Sequence, residues 1–195
     1  MNQEKDEALC KKYPLIFSGR NKPMTETAMC WGFERGDGWY HILDNLCANI
    51  QNHIDWRTKQ RNDASKYNIM VGDAKNNNWA AFDEYYKHIN IQSRDEYKER
   101  VLNAEFQSIP DAIPQVVAVQ VKEKFGGLRF YYNGGDDYIR GLASMAESMS
   151  TSTCEECGAP GSTRSGGWVR TLCDVHEAAY QKKQEDYAKD NGFEL

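Results

Sequence analysis

The sequence predicts an α+β protein, with helices packed on a β-hairpin or small antiparallel sheet and a small unit at the C-terminus. Three observations carry this reading. Trp39, Leu43, Leu46, Cys47, Ile50 and Ile54 recur at three- and four-residue steps, the period of an amphipathic helix. Val116 to Lys122 is rich in β-branched residues, Phe125-Gly126-Gly127 can turn, and Leu128 to Tyr132 returns, which together read as a hairpin. Near the end, Cys154 and Cys157 form C-x-x-C and Cys173 and His176 form C-x-x-H, with fifteen residues between the pairs.

Taken in order, residues 1–12 are polar and charged and read as a short helix. Pro14 to Cys30 is loop-like, punctuated by Ser18, Gly19, Asn21 and Pro23. Asp37 is placed to cap the long helix, which is expected to run to about Arg61. Residues 62–78 are rich in Asn, Asp and Gly and read as a loop or insertion. Two shorter helices are expected next. One covers about Trp79 to His88, and the other starts at Ser93, which pairs with Glu96 as a capping box. Pro110 and Pro114 close that region. After the hairpin, Asp136 and Asp137 open a helix with apolar positions at Ile139, Leu142, Ala143, Met145, Ala146 and Met149. The Ser/Thr-rich stretch 148–153 then separates a body, 1–150, with about 57–114 as an insertion, from a unit at 151–195.

The chain has 195 residues, with 24 Lys+Arg against 29 Asp+Glu and a net charge of −5. That balance argues against a binder driven by charge alone toward nucleic acid, though not against a local patch. Apolar runs are only a few residues long, as at Val116 to Val119, so no membrane-spanning helix is expected. Met1 to Lys12 has no apolar core of the kind a secretory signal carries. The expectation is a cytosolic protein whose six cysteines are reduced or metal-bound.

The spacing of Cys154, Cys157, Cys173 and His176 is that of a structural zinc site. Two thiolates two residues apart grip one ion only if the chain turns sharply. Gly158, Pro160 and Gly161 supply such a turn. The segment 162–171 is expected to fold as a hairpin around Gly166 and Gly167, and Thr171 to cap a last helix with Asp174 as its partner. On that helix Cys173 and His176 share a face. Knuckle, hairpin and helix make a treble-clef-like zinc unit. Four protein ligands fill a tetrahedral Zn²⁺ and leave no place for water, so the role is structural. So small a unit cannot bury a full core, and metal binding worth about 10–16 kcal/mol would supply its fold.

Other candidates are weaker. Cys10, Cys30 and Cys47 have no paired spacing, and Cys47 lies on the apolar helix face. No spacing links a thiol to His41, His53 or His88. Lys122, Lys124, Arg129 and Tyr131 interleave bases and aromatics on the hairpin. By strand alternation this is a half-buried hairpin, with Phe130 and Tyr132 on one face and Arg129 and Tyr131 on the other. It is still the best local patch for a ligand. Asp136 and Asp137 are simplest as helix caps, and the set Glu34, Asp37 and Asp44 reads the same way. No phosphate-binding Gly-Lys loop, G-x-S-x-G elbow or H-E-x-x-H helix is present.

Several stretches together resemble a family of uncharacterised small phage and prophage proteins. They are Cys30-Trp31-Gly32-Phe33, Gly36-Asp37-Gly38-Trp39, the hairpin segment Lys122 to Tyr131, Cys154 to Gly161, Gly167-Trp168 and Thr171 to His176. The likeness covers about 14–56 and 115–177. It implies a virus-encoded accessory protein in the bacterial cytoplasm, but no reaction and no catalytic residue. The functional expectation is a binding protein that engages a host or anti-phage-defence component, a protein or a nucleotide signal, with inhibition as its mode of action. The alternatives are an enzyme acting on nucleotides or nucleic acid and a nucleic-acid-binding regulator.

Overall fold

The computed structural model describes residues 1–33, 36–90, 93–165 and 168–192. The chain forms two compact units, Met1–Asn52 with Pro114–Leu195, and His53–Ile113. The Cys/His segment therefore belongs to the same unit as the N-terminus. The second unit lies close to the bounds of the segment 57–114.

In the first unit, helix α1 (Gln3–Lys12) is followed by turns and a short 3₁₀ segment at Ala28–Trp31, and a second 3₁₀ turn at Asp37–Trp39 leads into α2 (Tyr40–Lys75). Asp37 does not cap α2 as the sequence suggested. Its carboxylate is taken by α1, accepting the Asn2 backbone N–H at 2.7 Å, the Asn2 side-chain amide at 2.8 Å and Lys5 Nζ at 3.2 Å. Asp44 holds the other end of α1, accepting from Lys12 Nζ and from the Tyr13 hydroxyl, each at 2.7 Å. Glu34, the third acid of that set, lies outside the described residues.

Strands β1 (Val117–Lys124) and β2 (Gly127–Asn133) pair antiparallel, with an irregularity between Ala118 and Gln120. Val121, Leu128 and Phe130 are buried. A two-stranded sheet exposes unpaired backbone on both edges, and here side chains and loops fill it. On the β2 edge, Leu128 N–H donates to Ser150 Oγ at 2.8 Å and Phe130 N–H to a Glu147 carboxylate oxygen at 3.0 Å, both from α5 (Asp137–Ser150). On the β1 edge, Ala118 N–H donates to the Ile16 carbonyl at 2.8 Å and Thr27 Oγ1 to the Val119 carbonyl at 3.1 Å. Asp136 caps α5 as expected, accepting from Ile139 N–H at 3.0 Å. Next to the ends of the second unit, Gln51 and Gln115 join by reciprocal amide bonds of 3.1 and 3.4 Å.

Strands β3 (Ser162–Arg164) and β4 (Arg170–Leu172) form a second antiparallel pair ahead of α6 (Asp174–Asn191). Gly166 and Gly167, expected at its turn, lie outside the described residues. Thr171 is not the cap of α6. It sits in β4, buried, with its hydroxyl donating to the Gly126 carbonyl at 2.6 Å, and Cys173 takes the cap position.

The second unit corrects the sequence reading most. The helix expected to stop at Arg61 is continuous to Lys75. Its last turns bury Met70, Val71 and Ala74 in one cluster with Phe82 and Val101. That burial outweighs the weak helix preference of Asn and Gly in the same stretch. Helices α3 (Ala80–Tyr85) and α4 (Arg94–Leu102) follow. Ser93 precedes α4, but its side chain makes no capping bond.

Among the described glycines the closest approach is at Gly38. A Cβ there would lie 2.0 Å from the Cys154 carbonyl oxygen and 2.6 Å from the Gly158 nitrogen. Gly38→Ala should destabilise the protein by about 3 kcal/mol or more. Gly141, inside α5 with open space around it, is the control, and Gly141→Ala should add about 0.5–1 kcal/mol. Urea unfolding of the two variants checks both signs. The Asn2 N–H, and then Lys5, hold the Asp37 carboxyl below its ordinary 3.8. The α1 tether is thus intact at neutral pH and lost as pH falls below that value. Asp37→Asn should flatten this acid limb of the stability profile, measured by thermal unfolding from pH 6 to about pH 3.

Candidate metal centre

The chain around Cys154 turns back on itself through its own backbone. Cys154 N–H donates to the Ala159 carbonyl at 2.8 Å, Gly158 N–H to Cys154 at 2.9 Å, and Gly161 N–H to Ser152 at 2.9 Å. This knuckle directs Cys154 and Cys157 to one point. Glu155 N–H donates to the Thr171 carbonyl at 2.9 Å, tying the knuckle to β4. The chain leaves β4 directly into α6, whose cap residue Cys173 and first-turn His176 meet the same point.

The four ligand atoms all lie within 4.8 Å of one another. Cys157 and Cys173 sulfurs are 3.9 Å apart, and His176 Nδ1 is 3.6 Å from Cys154 Sγ and 3.2 Å from Cys173 Sγ. The residues can hold a metal ion. Among the described residues this is the one such group of three or more His, Cys, Asp or Glu. Cys154 is buried and Cys157 exposed. The sequence spacing thus brings together all four expected ligands.

Two further features of the centre were not apparent in the sequence. The first is a docking joint with Gly36 to Trp39. Gly38 N–H donates to the Glu155 carbonyl and Trp39 Nε1 to the Thr153 carbonyl, both at 2.9 Å. The paired glycines of that segment are the signal, because a Cβ at Gly36 would also strike the Glu155 carbonyl, at 2.3 Å. The second is an acid between the thiols. Glu155 is fully buried and pairs with Arg170 at 2.5 Å. Arg170 also reaches Glu156 at 2.5 Å and lies 4.9 Å over the Tyr180 ring. A buried carboxylate stripped of its cation costs several kcal/mol, so Arg170 is what makes the burial of Glu155 tolerable.

The other sequence candidates separate clearly. Lys122, Lys124, Arg129 and Tyr131 share the outer face of the first hairpin, opposite Val121, Leu128 and Phe130. Lys122 pairs across the strands with Arg129 and sits 5.7 Å over the diagonal Tyr131 ring. Asp136 is a cap, and Asp137 pairs with Arg140 at 3.0 Å. Cys47 is buried, Cys10 donates to Asp6 at 3.6 Å and Cys30 to the Thr27 carbonyl at 3.3 Å. His53 stacks on Trp56, and His41 meets the Tyr40 ring edge-on.

No protein-family model, no curated protein and no solved structure matches the chain. No helix among the described residues is long and apolar enough to cross a membrane.

The thiols differ in character. The His176 backbone N–H, and then its imidazole, push Cys173 down to about 6. Burial, reinforced by Asp6, pushes Cys10 up to about 12, and burial raises Cys47 as well. Since the thiolate is the reactive form, limited iodoacetamide treatment of metal-stripped protein at pH 7 should label Cys173 first and Cys10 and Cys47 last. Peptide mapping by mass spectrometry reads the order. Early labelling of Cys47 would contradict the buried environment described here.

Proposed function

We propose that this chain is a binding protein whose Cys/His centre holds a structural Zn²⁺ in a treble-clef-like unit. The observation that carries the reading is the closed donor set of three sulfurs and one imidazole nitrogen within 4.8 Å. A tetrahedral ion with Zn–S of about 2.3 Å and Zn–N of about 2.0–2.1 Å needs ligand separations of about 3.5–3.8 Å. The separations of 3.9, 3.6 and 3.2 Å lie around that range, so small side-chain shifts would close the four atoms on one ion. Thiolate-rich tetrahedral sites select zinc over hard cations. With four protein ligands the ion has no open position for substrate, so its contribution is to fold and hold the knuckle against Gly36–Trp39.

The partner side of the proposal follows the resemblance to phage and prophage proteins. The chain acts in the bacterial cytoplasm on a host or anti-phage-defence component, a protein or a nucleotide signal, as an inhibitor. The basic and aromatic outer face of the hairpin supports a binding role. An enzyme built on Asp136 and Asp137 is less well supported, since one caps α5 and the other pairs with Arg140. A regulator that binds nucleic acid through charge faces a net −5.

Protein purified without added metal should contain about one equivalent of zinc per chain by elemental analysis. Chelation at pH 7 should lower the thermal midpoint by about 10 °C or more, and zinc should restore it. Cys154→Ser should abolish both metal content and this response. Metal-free protein of unchanged stability would refute the structural role. Affinity capture from phage-susceptible cells, with identification of the bound component by mass spectrometry, tests the partner. A captured component whose activity is unaffected by the pure protein would refute inhibition.

A further inference from the structure

The two hairpins meet at a pocket that none of the elements above explains. Lys122, Glu123, Lys124 and Phe125 from the first hairpin line it with Trp168 and Val169 from the second, around a volume of about 430 Å³. That size falls in the range of small-ligand sites. The two hairpins are pinned to each other beside it, because Thr171 Oγ1 donates to the Gly126 carbonyl at 2.6 Å. The single acid in the wall is buried, and it accepts the Gly126 N–H at 2.6 Å. Lys122 and Lys124 give the rim its charge.

Both aromatic residues of the pocket are presented outward, Phe125 at 74% exposure and Trp168 at 61%. Phe125 is held there at a backbone cost. The turn between β1 and β2 puts Phe125 at φ 54° and Gly126 at φ 76°, and a two-residue hairpin turn with both φ positive normally carries Asn, Asp or Gly. A bulky ring in the left-handed region is a strained choice, of the kind retained at ligand sites. Lys124 Nζ lies 5.4 Å over that ring. The same face continues through Arg129 and through Tyr131 beneath Lys122.

We propose that this pocket binds a nucleoside phosphate, with the planar base stacked on Phe125 and Trp168 and the phosphate held by Lys122 and Lys124. Aromatic faces stack bases with little sequence preference, and lysines supply compact charges to phosphate oxygens. The inference rests on the binding-protein reading and gives its ligand a chemical class. The base and phosphate can come from a free nucleotide or from one unit of a single strand.

Isothermal titration calorimetry of the metal-loaded full chain at low salt tests it with adenosine 5′-monophosphate, adenosine, inorganic phosphate and a short deoxyadenylate strand. The monophosphate should bind one to one, with adenosine and phosphate each at least about tenfold weaker. A strand that binds no tighter than the monophosphate identifies a free nucleotide. A strand that binds far tighter, with steep loss in salt, identifies single-stranded nucleic acid. Trp168→Ala should weaken binding about tenfold, as should Lys122→Gln with Lys124→Gln. Phe125→Gly should weaken it similarly while leaving the thermal midpoint equal or higher, because glycine relieves the turn. No binding of monophosphate or strand by the wild type, or wild-type affinity in all three variants, would overturn the proposal. Capture of a host component without nucleotide binding would overturn this site alone. Turnover of a bound nucleotide would overturn the non-catalytic reading and leave the site standing.

Discussion

The docking of the Cys154 knuckle onto Gly36–Trp39 is the constraint on which the rest of the first unit depends. Gly38 N–H reaches the Glu155 carbonyl at 2.9 Å, and Trp39 reaches Thr153 at 2.9 Å, across more than a hundred residues of sequence. The approach is so close that no side chain fits at Gly38. Through this joint the start of α2 and the Cys/His cluster are held in one frame. Asp37, inside the same four residues, carries the frame on to α1. The knuckle in turn ties to β4 through Glu155 and Thr171, and Thr171 holds the tip of the first hairpin. A metal ion in the centre would therefore stabilise far more than its own loop.

Local patterns in the sequence were enough for the elements that local physics decides. The β-branched strand and its return, the helix after Asp136 and the four ligand candidates are all legible from spacing and residue type. Elements decided by distant contacts were not. Residues 62–75 look like a loop by composition, yet Met70, Val71 and Ala74 find a core with Phe82 and Val101 and keep α2 helical. Asp37 and Thr171 have the side chains of caps, but a carboxylate or hydroxyl serves whichever donor or acceptor the fold brings to it. Here those partners are Asn2 and Gly126. Ser93 shows the converse, standing in the cap position without making the bond.

The candidate site divides in the same way. Cys154, Cys157, Cys173 and His176 announce themselves because a knuckle and a helix turn are local geometries. Glu155 and Arg170 do not, since a charged residue between two cysteines gives no sign that it will be buried. The placing of Phe125 and Trp168 on one pocket was also hidden, because it needs two hairpins to converge. What could have been noticed is the large aromatic residue at the first place of a tight turn, where the backbone favours a smaller one.

The reciprocal amide pair between Gln51 and Gln115 has a different kind of consequence. It brings together the points where the chain leaves the first unit at Asn52 and re-enters it at Pro114. A segment whose two ends are neighbours can be lost, gained or exchanged without rethreading the remainder. Residues 53–113 keep their own apolar cluster, as a transplantable module must. Such a segment is one that evolution or an engineer can exchange while the frame around the Cys/His centre is retained.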